Sequence, residues 1–232
     1  MIEIVSKTRD YVVIYKPAGM PSQSDPSGDK DAMTACSELL RENGESDELF
    51  LIHRLDRVVG GLLVFARNKK SAAALSEQVA NRKLIKEYYA VVEGCPTGGT
   101  MQDYLYKDAA LGKAFISDRK RAGVKMCELE YVVFDTVSIG ERDVSLVKIS
   151  LKTGRFHQIR AQFSHRKMPL IGDKKYGSRD FRAKMPSLFA SLLSFTYGGK
   201  EIAVSKLPEL SNYPWSLFTE EKYKQNGKHY DR

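Results

Sequence analysis

Residues 53–57 read His53-Arg54-Leu55-Asp56-Arg57, an acid standing between two guanidinium groups. Gly60-Gly61 follow, and then the apolar run Leu62-Leu63-Val64-Phe65-Ala66, long enough for a buried strand. Burial raises a carboxyl pKa, whereas nearby arginines lower it and keep the group ionised. A carboxylate held charged beside a core strand is costly to build, which marks Asp56 as a candidate functional residue. Taken alone, the pentapeptide also fits an Arg–Asp ion pair closing a turn. It fits general acid–base hydrolysis as well, with His53 or His157 as partner to Asp56.

Several elements must position this loop. Residues 11–15 read as a buried strand ended by a turn at Pro17 and Gly19, and residues 22–29 are a loop by composition. Ala32, Cys36, Leu39 and Leu40 share one helical face, with Gly44 as a stop. Residues 62–66 form a further strand. Asn68 can cap a helix that buries Ala72, Leu75 and Val79. Lys86 to Glu93 returns as a strand ending at Gly94, and there Tyr88 and Tyr89 must face opposite sides. Residues 128–137 and 144–151 have strand character, and His157 to Ser164 a short helix after a turn at Gly154. Strands that follow strands as well as helices imply an α+β fold, a mixed, mainly antiparallel sheet with flanking helices.

The chain has 232 residues, 42% hydrophobic and 28% charged, which suits one large domain or two small ones. The first residues lack the apolar core and cleavage site of a signal peptide. No apolar stretch approaches the roughly 20 residues that span a bilayer, so no membrane partner is expected. Cys36, Cys95 and Cys127 are odd in number and widely spaced, which favours free thiols in a reducing cytoplasm. The four histidines, 53, 157, 165 and 229, show no metal-ligand spacing, and no P-loop or dinucleotide fingerprint is present. A net charge of +8 with a pI near 9.2 points to a polyanionic partner. Basic clusters such as Arg119-Lys120-Arg121-Lys125 and Lys174-Lys175 would make its binding strongly salt-dependent.

The wording around Asp56 closely resembles the catalytic-aspartate motif of RluA-type pseudouridine synthases. Val12-Val13-Ile14-Tyr15-Lys16-Pro17-Ala18-Gly19 resembles the family's first motif, a strand running into a Lys-Pro-x-Gly turn. Lys86-Glu87-Tyr88-Tyr89-Ala90-Val91-Val92-Glu93-Gly94 is similar to its Lys-x-Tyr-x-Ala-x-Val-x-Gly strand. Thr153-Gly154-Arg155-Phe156-His157-Gln158-Ile159-Arg160 resembles its Thr-Gly-Arg-Thr-His-Gln-Ile-Arg signature. Pro169-Leu170-Ile171-Gly172-Asp173 and Tyr176-Gly177 then follow as they do in the family. These motifs stand in the family's order across residues 12–177.

The resemblance implies a single catalytic domain over 1–232, with residues 219–232 as a flexible tail and a sheet crossed by an RNA-binding cleft. The first motif begins about ten residues from Met1, so an N-terminal S4-type module is not expected. The resemblance implies isomerisation of uridine in ribosomal or transfer RNA with no cofactor, no metal and no DNA partner; a monomer is expected because no obvious exposed apolar stripe asks for a partner. Asp56 would supply the carboxylate at the sugar, as nucleophile or as base. Tyr88 would lie against the base, and Arg160 would pair with Asp56 across the cleft. Arg54 would help displace the target base, since removing a nucleotide from a stack costs a few kcal/mol. Lys16, His53, Arg57, Lys86, Arg155 and His157, the other basic residues of the matched motifs, are expected at the substrate, with His157 bracing its turn.

Four departures stand out. Val59-Gly60 replaces the family's usual Thr-Ser, and Phe156 its Thr. Phe189 stands for a usual His, and Thr196-Tyr197 for a His-Pro step. The lost hydroxyls at 59 and 60 motivate an alternative, a catalytically inactive RNA-binding or RNA-folding protein on the same scaffold.

Overall fold

A computed structural model of the chain describes residues 1–224. In chain order the first elements are β1 (Glu3–Lys7), β2 (Tyr11–Lys16), α1 (Ala32–Glu42), β3 (Phe50–Leu51), β4 (Gly60–Ala66) and α2 (Lys69–Ala80). Next come β5 (Ile85–Glu93), β6 (Gly99–Asp108), β7 (Lys113–Ser117), β8 (Val124–Ile139), β9 (Arg142–Leu151) and α3 (Gln158–His165). The chain closes with β10 (Leu188–Tyr197), β11 (Lys200–Ser205) and α4 (Glu220–Lys224). Backbone contacts divide it into two compact units, Met1–Lys86 with Ala190–Lys206, and Glu87–Phe189 with Leu207 onward.

In the first unit the strand order is β1-β2-β4-β10, with β3 on β4 and β11 on β10. β2 runs antiparallel to β4 from Tyr11↔Ala66 to Lys16↔Gly61. Every residue of β4 is buried, as the unbroken apolar run requires of a strand covered on both faces. Tyr11, Val13, Leu62, Val64, Leu75 and Phe195 share one core. Asn68 caps α2 by accepting the Ser71 N–H at 2.9 Å, and Asp31 caps α1 by accepting that of Thr34 at 2.9 Å. Gly44 ends the α1 segment with φ at 71°.

The second unit is an antiparallel sheet in the order β5-β9-β8-β6-β7. Tyr89, Val91, Leu146, Ile171 and Phe218 form one core, and Leu105, Ala114, Cys127, Ala161 and Tyr176 another. The fold is therefore α+β with a mainly antiparallel sheet, as its alternation of elements implied.

Local differences from the sequence reading have physical reasons. The strand expected at 128–137 extends from Val124 to Ile139, with a register shift between Val133 and Asp135. His157 lies outside α3 because its φ is 52°, a left-handed conformation that starts the helix at Gln158. Of the tail at 219–232, Glu220–Lys224 form α4 with Tyr223 buried; residues 225–232 lie outside the described residues.

Candidate active site

Residues 52–59 are irregular and join β3 to β4. Buried Ser22 holds this segment at Leu55: its Oγ donates to the Leu55 carbonyl at 2.9 Å and accepts the Leu55 N–H at 3.1 Å. On the other side of Asp56, the Gly19 N–H donates to the Arg57 carbonyl at 2.8 Å. Lys16 reinforces that point. Its Nζ donates to the carbonyls of Met20 at 2.7 Å, Pro17 at 3.0 Å and Arg57 at 3.3 Å. The Val59 N–H closes a turn on the Asp56 carbonyl at 2.9 Å. Asp56 thus rides on a backbone fixed at both neighbours, and its own side chain is only partly buried.

Lys16 is fully enclosed. Burial pushes its ammonium down to about 7, with the Asp56 charge opposing that shift and the Arg57 charge adding to it. The Lys-Pro-x-Gly turn therefore supplies both an amine whose charge is coupled to Asp56 and the staple that ties the two loops.

His53 is buried as well, and its Nε2 accepts the Val64 N–H of β4 at 3.3 Å. Burial pushes its imidazole down to about 3, and the Lys86 charge adds to that. Burial also lowers the Lys86 ammonium. Arg54 is exposed. Arg57 turns to the loop at 25–29, donating to Ser27 Oγ at 2.7 Å and pairing with Asp29 and, at 3.5 Å, Asp25. These are surface pairs, worth about 0–1 kcal/mol.

In the second unit Tyr88 lies on β5 opposite Ile149 and is 6% exposed. Tyr89 joins a core with Phe134 and Tyr223 and donates its hydroxyl to the Tyr223 carbonyl at 2.7 Å. Burial raises that phenol to about 12. The turn before α3 is built by Gln158: its Oε1 accepts from Thr153 Oγ1 at 2.7 Å and from the Arg155 N–H at 3.0 Å. Its Nε2 donates to the Glu128 carbonyl at 3.0 Å. Arg155 itself turns back, Nε donating to the Met126 carbonyl at 3.3 Å.

That turn delivers Arg160. Its Nε and Nη2 donate to the two oxygens of Asp173 at 2.6 and 2.8 Å, and its guanidinium lies 4.8 Å from the Tyr176 ring centre. The Tyr176 hydroxyl accepts the Ala114 N–H at 2.7 Å and meets His157 Nδ1 at 3.0 Å. His157 is pushed down to about 3 by burial and by the charges of Arg160, Lys175 and Lys107. Asp173 and Tyr176 had no role in the sequence reading; the signal for them was an acid and a tyrosine inside the matched segment at 169–177.

The first unit offers a partly exposed carboxylate, and the second, by itself, a fixed guanidinium and phenols. Both His53 and His157 are neutral well below pH 6, so neither can serve as a general acid near neutrality. Among the described residues, no three His, Cys, Asp or Glu side chains gather as a metal-binding group.

Residues 10–165 match the family model described as RNA pseudouridylate synthase. The chain belongs to that family. It is 29% identical to tRNA pseudouridine synthase C of Haemophilus ducreyi over 99% of its own length and 97% of that protein's. It is 28% identical to ribosomal large subunit pseudouridine synthase C of Rickettsia prowazekii, covering 85% of this chain and 65% of that one. The solved structure of human RNA Pseudouridylate Synthase Domain Containing 1 shares the fold, with a TM-score of 0.74 and 23% identity over 90% of this chain and 84% of that one.

Within the pseudouridylate synthase family one departure, at position 59, acquires a local explanation. Val59 is 2% exposed, so an apolar contact occupies the place of a threonine. Gly61, which keeps the family's glycine, has φ at 125°, and a Cβ there would stand 2.3 Å from the Ala190 carbonyl, which leaves room for glycine alone. Thr196 is held by its backbone: the Gln78 amide accepts its N–H at 2.8 Å and donates to its carbonyl at 2.7 Å. Among the described residues no helix is long and apolar enough to cross a membrane.

Proposed function

We propose that this RNA pseudouridine synthase acts on transfer RNA in the cytoplasm as a monomer, with Asp56 as the catalytic carboxylate. The reaction breaks the bond from N1 of uracil to C1′, turns the base, and forms the bond from C5 to C1′. The C5 hydrogen leaves as a proton and N1 gains one, so nothing is oxidised and no cofactor is called for. Asp56 works in its charged form, either attacking the sugar or taking a proton from it. Arg160 is the fixed cation of the reaction, Tyr88 the group against the base, and Arg54 the side chain that fills the vacated stack. Lys16 and His53 act from inside the first unit, as anchors of the loop.

One observation carries this reading. Asp56 is the partly exposed residue between two residues whose backbones are pinned, Leu55 by Ser22 and Arg57 by Gly19 and Lys16. A group that must meet the sugar in one geometry gains from such fixing, since misplacement by about 1 Å can cost 10²-fold in rate. Transfer RNA is favoured because a relative matched over 99% of this chain and 97% of its own length is a tRNA pseudouridine synthase.

Nucleoside analysis of transfer RNA from cells lacking the protein, before and after incubation with it, tests the reading. Pseudouridine should appear while the RNA mass stays constant. Release of free base or a shortened RNA would point instead to hydrolysis, and no new pseudouridine to an idle scaffold.

A further inference from the structure

Phe156 stands where the family usually has a threonine, in the turn that leads to Arg160. Its ring stacks on His157 with centroids 3.8 Å apart and planes 18° from parallel. Lys107 Nζ lies 4.7 Å from the centre of the same ring. Lys107 is exposed on β6, opposite Ala114 of β7. Lys113 Nζ is 5.0 Å from the Tyr176 ring centre, and Lys175 Nζ donates to the Gly112 carbonyl at 3.0 Å. Among the described residues, Lys107, Lys113 and Lys175 make no ion pair. Asp108 stands directly opposite Lys113, its Oδ1 accepting the Leu111 N–H at 2.9 Å, and Asp173 is bound to Arg160.

A hydroxyl has thus been exchanged for an aromatic surface overlaid by an exposed cation, beside two further lysines that make no ion pair among the described residues. Aromatic faces take up unstacked RNA bases, and lysines take up their phosphates. We propose that Phe156 and Lys107 form a subsite for a nucleotide flanking the target uridine, the base stacking on Phe156 and its phosphate drawing Lys107 away from the ring. This rests on the reading of the chain as an enzyme of RNA, and it makes Phe156 a residue that sets substrate preference. Lys113 and Lys175 extend the phosphate track.

The test is direct binding of transfer RNA from cells lacking the protein, titrated at several salt concentrations and needing no turnover. Phe156→Leu keeps the apolar contact with the Leu105 and Ala114 core but removes the stacking face. It should weaken binding about tenfold and raise KM far more than it lowers kcat. Phe156→Tyr should bind as the parent does. Lys107→Gln should reduce the slope of log affinity against log salt by about 1. Wild-type affinity in a folded Phe156→Leu protein, or an unchanged salt slope in Lys107→Gln, would overturn the subsite. Thermal unfolding establishes that each variant is folded; if Phe156→Leu is not, the Lys107→Gln slope decides. A parent that binds RNA yet forms no pseudouridine would remove the proposed reaction and leave the subsite to stand or fall on these affinities.

Discussion

Arg160 and Asp173 form a bidentate pair, two hydrogen bonds of 2.6 and 2.8 Å between side chains only 5% and 1% exposed. The planar fork of arginine matches the carboxylate in one orientation, so Asp173 sets the plane and position of the guanidinium. Breaking a buried pair from one side costs about 3–5 kcal/mol, and here it takes two charge-assisted hydrogen bonds from Arg160. Asp173→Ala should therefore lower unfolding free energy by that order. Asp173→Asn keeps the shape and one acceptor; it should retain more stability while losing activity. Denaturant unfolding beside a rate measurement separates the two effects, and a fully active Asp173→Ala protein would show that Arg160 needs no such fixing.

Ser22 has a comparable role for Asp56. Ser22→Ala strands both the Leu55 N–H and the Leu55 carbonyl in a buried position, a loss of about 1–3 kcal/mol. The larger effect is expected in kcat, because the residue next to the carboxylate loses its fixed point. Equal kcat in parent and variant would show that Ser22 serves stability alone.

The Asp56 loop could be read from the sequence because its polar residues abut an apolar run that has one physical outcome, β4. The caps at Asn68 and the stop at Gly44 were equally readable, since each is set by a few local residues. Ser22 was not. It lies in a segment of loop composition, and nothing local tells that its hydroxyl is buried against Leu55, 33 residues away. β6 and β7 escaped for a different reason: Gly99–Asp108 mixes exposed, half-buried and buried positions without clean alternation. His157 was placed inside α3 because periodicity says nothing of a single left-handed residue. Asp173 was visible as a letter, but its partner Arg160 was known only once the chain was folded.

Lys16 gives a pH signature with a definite sign. Its pKa falls from 10.5 in the unfolded chain to about 7 in the folded protein. Below pH 7 both states carry the proton, and the folded state bears the full cost of the buried charge. Between 7 and 10.5 the unfolded state holds more protons, so this residue makes stability rise with pH. The unfolding free energy of the parent minus that of Lys16→Met should climb across that window. A flat difference would mean that the three carbonyls around Nζ hold the ammonium charged in the fold.

The two buried histidines act in acid. With folded pKa values of about 3 against an ordinary 6.5, His53 and His157 oppose protonation that the unfolded chain accepts. Stability from this source is complete above pH 6.5 and is lost as pH falls toward 3. His53→Gln should flatten part of that slope. In the rate profile neither histidine should produce an inflection between pH 5 and 8, and one that moved on mutating either would restore acid–base catalysis by histidine.

The central claim is that Asp56 drives isomerisation of uridine, and the hydrogen at uracil C5 reports it. RNA labelled with tritium at that position, taken from cells lacking the protein, should release tritium to water with the parent protein. With Asp56→Asn it should release none, while that variant stays folded and still binds RNA. Release at the parent's rate by Asp56→Asn, or none by the parent on such RNA, would contradict the account.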